Sequence, residues 1–253
     1  MTFDREPDLD NANVGTPINN DIDIMRKLFE KSGSFRFFMQ KGGIMEFNSE
    51  LYFITDSTPY ALDEFLWRVE DALKGGVTLM QLREKNRTTK EYIELAQAVH
   101  EICRKYNVPL IIDDRVDVML AVDCDGVHLG AEDMPLAMAR RIIGSEKILG
   151  ATAKKVDVAK AAYEAGADYL GVGAIYPTTT KVKTIITSTE TLDAICQAVP
   201  IPVNAIGGLN GSNMDVLKGI DIAGVCAVSA IMKAESPRLA AESMKKKFRE
   251  IKG

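Results

Sequence analysis

GVHLGAEDMPLAMARRIIGSEKILGATAKKVDVAKAAYEAGADYLGVGA, residues 126–174, runs through a short apolar stretch, a helical period and a second apolar stretch, and then repeats the pattern. GVHLG (126–130), KILGA (147–151) and YLGVGA (169–174) read as strands, with helices at 135–143 and 156–165 between them. Pro135 suits a first helical turn, and Gly144 and Gly166 suit helix ends. A strand that returns after a helical crossover of this length pairs in parallel with the strand before it.

The same unit extends in both directions. Upstream lie strands LYFIT (51–55), TLMQLR (78–83) and PLIID (109–113), with helices at 63–74, 89–106 and 115–121. Downstream lie strands PVNAIG (202–207) and GVCAVS (224–229), with helices at 189–199, 210–218 and 237–251. Thr88 is the expected N-cap of the second helix, and Gly75-Gly76 and Gly219 close two further units. Eight strand-helix units in about 205 residues predict a closed (β/α)8 TIM barrel, an α/β fold at the compact end of its size range. An open doubly wound sheet would want a glycine fingerprint after the first strand, where Thr55-Asp56-Ser57-Thr58-Pro59 stands instead.

The barrel is expected to be a single domain over 49–253, preceded by an extension over 1–48. Residues 1 to 20 are rich in Asp, Asn, Gly and Pro and read as disordered. Residues 21–41 suggest a helix that breaks at Ser32-Gly33-Ser34, able to dock on the barrel or on a second subunit, so a homo-oligomer stays open. Met45 is a plausible native start, which would make the residues before it a vector-derived tail or an over-long start. A net charge of -5 argues against nucleic acid as main partner. No apolar run is long enough to span a bilayer, and the acidic N-terminus is unlike a secretory signal. The four cysteines, Cys103, Cys124, Cys196 and Cys226, form no Cys-x-x-Cys pair and sit in apolar stretches, which fits small buried groups in a reducing, cytoplasmic setting.

In a barrel of this kind the C-terminal strand ends share one mouth, where chemistry is built. Gln81, Arg83 and Lys85 alternate along the second strand end and so point the same way. Two cations and an amide on one face suit an anion; a solvated rim, or a salt bridge to Glu84, is the plain alternative. Asp113 and Asp114 end the third strand, and Glu132 and Asp133 follow the fourth. Carboxylates converging there suit a hard cation such as Mg2+; helix capping by Asp133 and an Asp114–Arg115 pair are the alternative. With only His100 and His128, zinc has no ligand set. His100 reads as a surface or packing residue and His128 as a core histidine. After the sixth strand, Thr178-Thr179-Thr180-Lys181 can cradle a phosphate, and Gly207-Gly208 with Val228-Ser229 matches the phosphate site after strands 7 and 8. One anion site with a metal and one without suggest transfer of an electrophile from a diphosphate to a phosphorylated acceptor.

At these residues the chain resembles thiamine phosphate synthases. The segments that carry the resemblance are LYFITD (51–56), QLREK (81–85), DDRVDV (113–118), GVHLGAED (126–133), ADYLGVGAIYPTTTK (167–181), IGG (206–208) and AVSAI (227–231). The resemblance implies joining of 4-amino-2-methyl-5-(diphosphooxymethyl)pyrimidine to a thiazole phosphate carboxylate, giving thiamine phosphate, pyrophosphate and CO2. It implies that Gln81, Leu82, Arg83, Glu84, Lys85, Asp113, Thr152 and Lys181 serve the pyrimidine diphosphate, with Arg83, Lys85, Thr152 and Lys181 as the catalytic groups. It puts one Mg2+ on Asp114 and Asp133, and the thiazole phosphate on Thr178, Thr180, Gly208, Val228 and Ser229. The chain departs from the family pattern in having Asp113 for Asn, Thr152 for Ser and Asn204 for an apolar residue, and residues 1–48 have no counterpart. A bare contact between an ionised Asp113 and pyrophosphate is unfavourable, so Mg2+ or Lys85 lies between them, or Asp113 turns away, or it carries a proton; a contribution to the metal site is the favoured reading. A thiazole tautomerase of the same barrel type would not need QLREK with Asp114 and Asp133, and a non-catalytic thiamine-phosphate-binding protein would not need Lys181.

Overall fold

The computed structural model describes residues 47–178 and 186–253, and the backbone of two short strands before them. Those two, β1 (Phe38–Gln40) and β2 (Gly43–Met45), form an antiparallel hairpin with Phe38 opposite Met45. The disorder expected over 1–20, and the helix expected to begin after it, lie outside the described residues.

From Leu51 the chain alternates strand and helix. In order these are β3 (Leu51–Ile54), α1 (Leu62–Lys74), β4 (Leu79–Leu82), α2 (Thr89–Lys105), β5 (Leu110–Asp113), α3 (Val116–Val122), β6 (Gly126–Leu129) and α4 (Leu136–Ile143). Then follow β7 (Ile148–Ala153), α5 (Val156–Glu164), β8 (Tyr169–Gly173), α6 (Thr189–Ala198), β9 (Val203–Ile206), a 3-10 turn (Met214–Leu217), β10 (Gly224–Ala227), α7 (Ser229–Met232) and α8 (Pro237–Lys252). Strands β3 to β10 are all parallel and close on themselves, with Val225 of β10 opposite Leu51 of β3. This is the (β/α)8 barrel the repeat predicts.

Local chemistry explains the helix ends. Thr88 and Glu91 form a reciprocal capping box on α2. Ser188 and Ser236 cap α6 and α8, and Pro237 opens α8. Gly76, Gly144, Gly166 and Gly219 take positive φ at the unit ends where the sequence placed them.

One unit departs from expectation. The helix read over 210–218 is only the 3-10 turn Met214–Leu217. Asn213 Oδ1 accepts from Asn210 N at 2.8 Å and its Nδ2 donates to Gly208 O at 2.8 Å, while Asn210 Oδ1 accepts from Ser212. These side-chain-to-backbone bonds favour tight turns over a continuous helix through 210–213.

Alternation along the strands sorts two cores. Leu51, Phe53, Met80, Leu82, Leu110, Ile112 and Val127 face the helices in one large cluster. Tyr52, Ile54, Leu79, Ile111, Ile148, Tyr169 and Cys226 face the barrel axis in another. Phe47 joins that inner cluster and meets Tyr169 edge-on at 5.7 Å. The barrel interior therefore begins at Phe47, two residues before the expected domain start.

Asn204, unexplained by sequence, is fully buried at the start of β9. Its Nδ2 donates to the Ser49 carbonyl at 2.8 Å and ties the incoming chain to the barrel floor. Glycine is needed at 224 because a Cβ there would sit 1.8 Å from that same Ser49 oxygen. A chain started at Met45 keeps Phe47 and Ser49, so its turnover per site should stay within about twofold of the full chain. Steady-state kinetics on both chains checks this; a large fall in kcat in a folded truncation would bring the extension into the active site.

Candidate functional site at the barrel mouth

On four of the barrel strands the interior phase delivers a polar residue toward the C-terminal end. Gln81 of β4, Asp113 of β5, His128 of β6 and Thr152 of β7 all lie in that phase, and the β5–β6 register sets Asp113 directly opposite His128. Gln81, Arg83 and Lys85 point to one side, as their alternation requires. Arg83 Nε stands 3.7 Å from Asp113 Oδ2, and Lys85 Nζ stands 2.9 Å from the same oxygen. Lys85 also contacts Asp114 Oδ2.

Lys85 thus meets Asp113 in the structure, the second of the two cations weighed for that position. Burial opposes charge on Lys85, but Asp113 and Asp114 hold its ammonium above its ordinary pKa. Burial pushes the Asp113 carboxyl up to about 6, helped by Asp114 and resisted by Lys85 and Arg83. A carboxyl shifted upward binds its proton more readily in the folded chain than in the unfolded one. Between its ordinary value of 3.8 and about 6, stability therefore falls as pH rises, and above that window the penalty is complete. Asp113→Asn should then melt higher than the parent at about pH 8, by roughly 1–3 kcal/mol, and equal it near pH 3. Calorimetric melts across that range check this; a variant that melts lower at high pH would show the Lys85 contact outweighing burial.

Asp114 sits at the turn after β5 with φ +62, which aims it away from the strand and toward the loop after β6. Asp133 Oδ2 accepts from the Gly130 amide at 2.7 Å. Burial raises the Asp133 pKa and the adjacent Asp114 carboxylate raises it further. Two carboxylates held this close repel unless a proton or cation lies between them. Among the described residues no group of three His, Cys, Asp or Glu forms a metal cage. A pair does fit Mg2+, which keeps several waters and takes one or two carboxylates plus substrate phosphates.

A buried row of hydrogen bonds crosses the barrel interior below this cluster. Gln81 Nε2 donates to Tyr52 Oη at 2.5 Å, and Tyr52 Oη lies 2.7 Å from Tyr169 Oη. Tyr169 Oη lies 3.0 Å from His128 Nδ1, and His128 Nε2 lies 2.9 Å from Thr152 Oγ1. Burial holds the His128 pKa down to about 4, so the ring is neutral near pH 7. The satisfied core histidine expected at 128 is what the structure shows. Tyr52 and Tyr169 escaped the sequence reading because each looks like ordinary core. Their signal was strand phase, which they share with Gln81, Asp113 and Thr152.

Two residues of the QLREK run face elsewhere. Leu82 is fully buried in the outer cluster, so only its backbone reaches the mouth. Glu84 Oε2 accepts from Ser57 Oγ at 2.8 Å and pairs with Arg87 Nε at 3.0 Å. Glu84 therefore fastens the loop after β3 to the loop after β4, and its side chain turns away from Asp113.

The residues expected to form a second anion site stand at the ends of β9 and β10. The β9–β10 register, Gly224 against Asn204 and Val225 against Ala205, brings Gly208 and Val228 out side by side. Gly208 has φ +64, and a Cβ there would meet Tyr176 Cβ at 2.7 Å and Pro177 O at 2.9 Å. Ser229 opens α7, whose first amides have no intrahelical partner. Thr178 is half-buried at the end of the described part of the loop after β8. Thr180 and Lys181 lie outside the described residues.

Closed parallel barrel, carboxylate pair, mouth cations and glycine turn together define a (β/α)8 barrel of the kind that binds phosphorylated ligands at its strand ends. Within that class, residues 51–231 match the sequence profile of the thiamine monophosphate synthase family, and the chain belongs to that family. It is 51% identical over 201 residues to thiamine-phosphate synthase 2 of Streptococcus pneumoniae, a match covering 79% of this chain and 96% of that protein. It is 47% identical to thiamine-phosphate synthase of Methanobrevibacter smithii, over 79% of this chain and 95% of that one. A solved thiamine phosphate pyrophosphorylase from Pyrococcus furiosus superposes with TM-score 0.74 at 40% identity, covering 81% of this chain and 98% of the other.

Proposed function

We propose that the chain is a thiamine phosphate synthase, a Mg2+-dependent transferase that joins the pyrimidine diphosphate to the thiazole phosphate carboxylate with release of pyrophosphate and CO2. The observation that carries this reading is the Asp114–Asp133 carboxylate pair set beside Lys85 and Arg83 at one mouth. A barrel that handled the thiazole alone would have no use for it. The names borne by the close relatives support the same reaction.

Arg83, Lys85, Lys181 and Thr152 bind the diphosphate and neutralise or hydrogen-bond its oxygens as the C–O bond breaks. Asp114 and Asp133 would hold one Mg2+, which supplies further charge neutralisation on the departing pyrophosphate when bound. The aminopyrimidine stabilises the methylene cation left behind. Thr178, Thr180, Gly208, Val228 and Ser229 fix the thiazole phosphate so that its ring nitrogen faces that carbon. Orientation of two bound substrates does the rest, and no protein nucleophile is needed. Among the described residues no helix is long and apolar enough to cross a membrane. That and the four free cysteines support a cytoplasmic protein working on small molecules.

Pyrophosphate release by the purified full chain tests the proposal. The expected result is release that needs both substrates and saturates with Mg2+. Release unaffected by a chelator would remove the metal, and turnover of thiazole phosphate alone would make the protein a tautomerase.

A further inference from the structure

The buried row from Gln81 to Thr152 has a direction. An amide nitrogen only donates, so at the first link the Tyr52 oxygen accepts from Gln81. Each hydroxyl owns one proton. The other described neighbour of the Tyr52 hydroxyl is Tyr169, so the Tyr52 proton goes there. Tyr169 must then give its own proton to His128 Nδ1. A neutral imidazole that accepts at Nδ1 carries its proton on Nε2, and it donates that proton to Thr152 Oγ1. The Thr152 hydroxyl, now accepting, has its own proton to offer outside the row. The opposite order would make Tyr52 accept twice and leave its proton without a described partner inside the barrel.

We infer that this row is ordered from the Gln81 amide to the Thr152 hydroxyl, so that Thr152 presents a proton donor to an anionic ligand oxygen at the mouth, with Tyr169 and His128 as positioning residues. The inference rests on the reading of Thr152 as a diphosphate-binding group. Space in the barrel is reserved for the row. A Cβ at Gly150 would lie 2.2 Å from the Tyr169 ring and 2.5 Å from His128 Nδ1. Phe47 holds the Tyr169 ring from below.

The chain has two histidines, so imidazole nitrogen NMR on the full chain labelled with 15N-histidine shows two patterns, and His100→Gln assigns them. In the ligand-free protein His128 should be neutral with its proton on Nε2. Gln81→Met removes the ordering donor and should give a mixture of both tautomers. Tyr169→Phe keeps the ring but deletes the central hydroxyl. It should lower kcat/KM for the pyrimidine diphosphate about tenfold and leave thiazole phosphate affinity, measured by calorimetry, unchanged. Thr152→Ser should restore what Thr152→Val loses. A wild-type proton on Nδ1, or an imidazolium near pH 7, overturns the order, as does an unmixed Nε2 tautomer in Gln81→Met. Full kcat/KM in Tyr169→Phe overturns the positioning role. The NMR needs no substrate, so a correctly ordered protein that makes no thiamine phosphate would refute the proposed function and leave the order standing.

Discussion

Asp133→Ala and Asp114→Asn are expected to lower turnover about a thousandfold, or ~4 kcal/mol of transition-state stabilisation, while both variants still melt cooperatively. On the proposed reading the effect is large because pyrophosphate leaves with its charge rising, and a Mg2+ held by the two carboxylates would act where that charge grows. The fold should tolerate both changes. The Asp133 side chain accepts one hydrogen bond from the backbone, from the Gly130 amide, and the Asp133 amide bond to Gly130 O survives the substitution. Asp114 stands at φ +62, a conformation that Asn shares more readily than Ala, which makes Asn the cleaner replacement there. Removing either acid also relieves the repulsion that raises the Asp133 pKa, so melting points should hold or rise slightly. Rate against Mg2+ concentration, with a melt on each variant, gives the answer. Near-normal turnover at low Mg2+ would take the metal off these residues.

Arg83→Ala should weaken pyrimidine diphosphate binding by about a hundredfold, near 3 kcal/mol, and leave thiazole phosphate binding within twofold. Arg83 reaches Asp113 at the end of β5, whereas Gly208 and Val228 stand at the ends of β9 and β10, so on the proposed reading the two substrates call on different groups. Lys181→Ala should behave in the same way. Arg83 also balances Asp113, so its loss should push the Asp113 carboxyl further up and carry the parent's pH dependence to higher pH. Separate calorimetric titrations with each substrate decide the matter. Equal losses for both ligands would collapse the two anion sites into one.

Much of the barrel was legible because its signals are local. Two-residue alternation separates Leu51 and Phe53 from Tyr52 and Ile54, and helix-closing glycines repeat from unit to unit. The unit after β9 was misread because Asn210 and Asn213 look compatible with a helix until their side chains take the backbone partners. The mouth acids and cations were legible since a strand end leaves a charged residue few other uses. The side-chain contact of Glu84 could not be read for want of a long-range fact: its partner Ser57 comes from the loop after β3, 27 residues away. Asn204 was opaque for the same reason, since its partner Ser49 lies 155 residues away. The tyrosine and histidine row could not be seen from composition at all. Aromatic residues in strands are usually core, and only the closed barrel shows that these meet along one axis.

Product stoichiometry tests the proposed reaction most directly. Purified full-length protein given both substrates and Mg2+ should form thiamine phosphate and pyrophosphate one for one, and neither product when either substrate is left out. Pyrophosphate formed without thiamine phosphate, or thiazole phosphate converted with no pyrimidine diphosphate present, would contradict it.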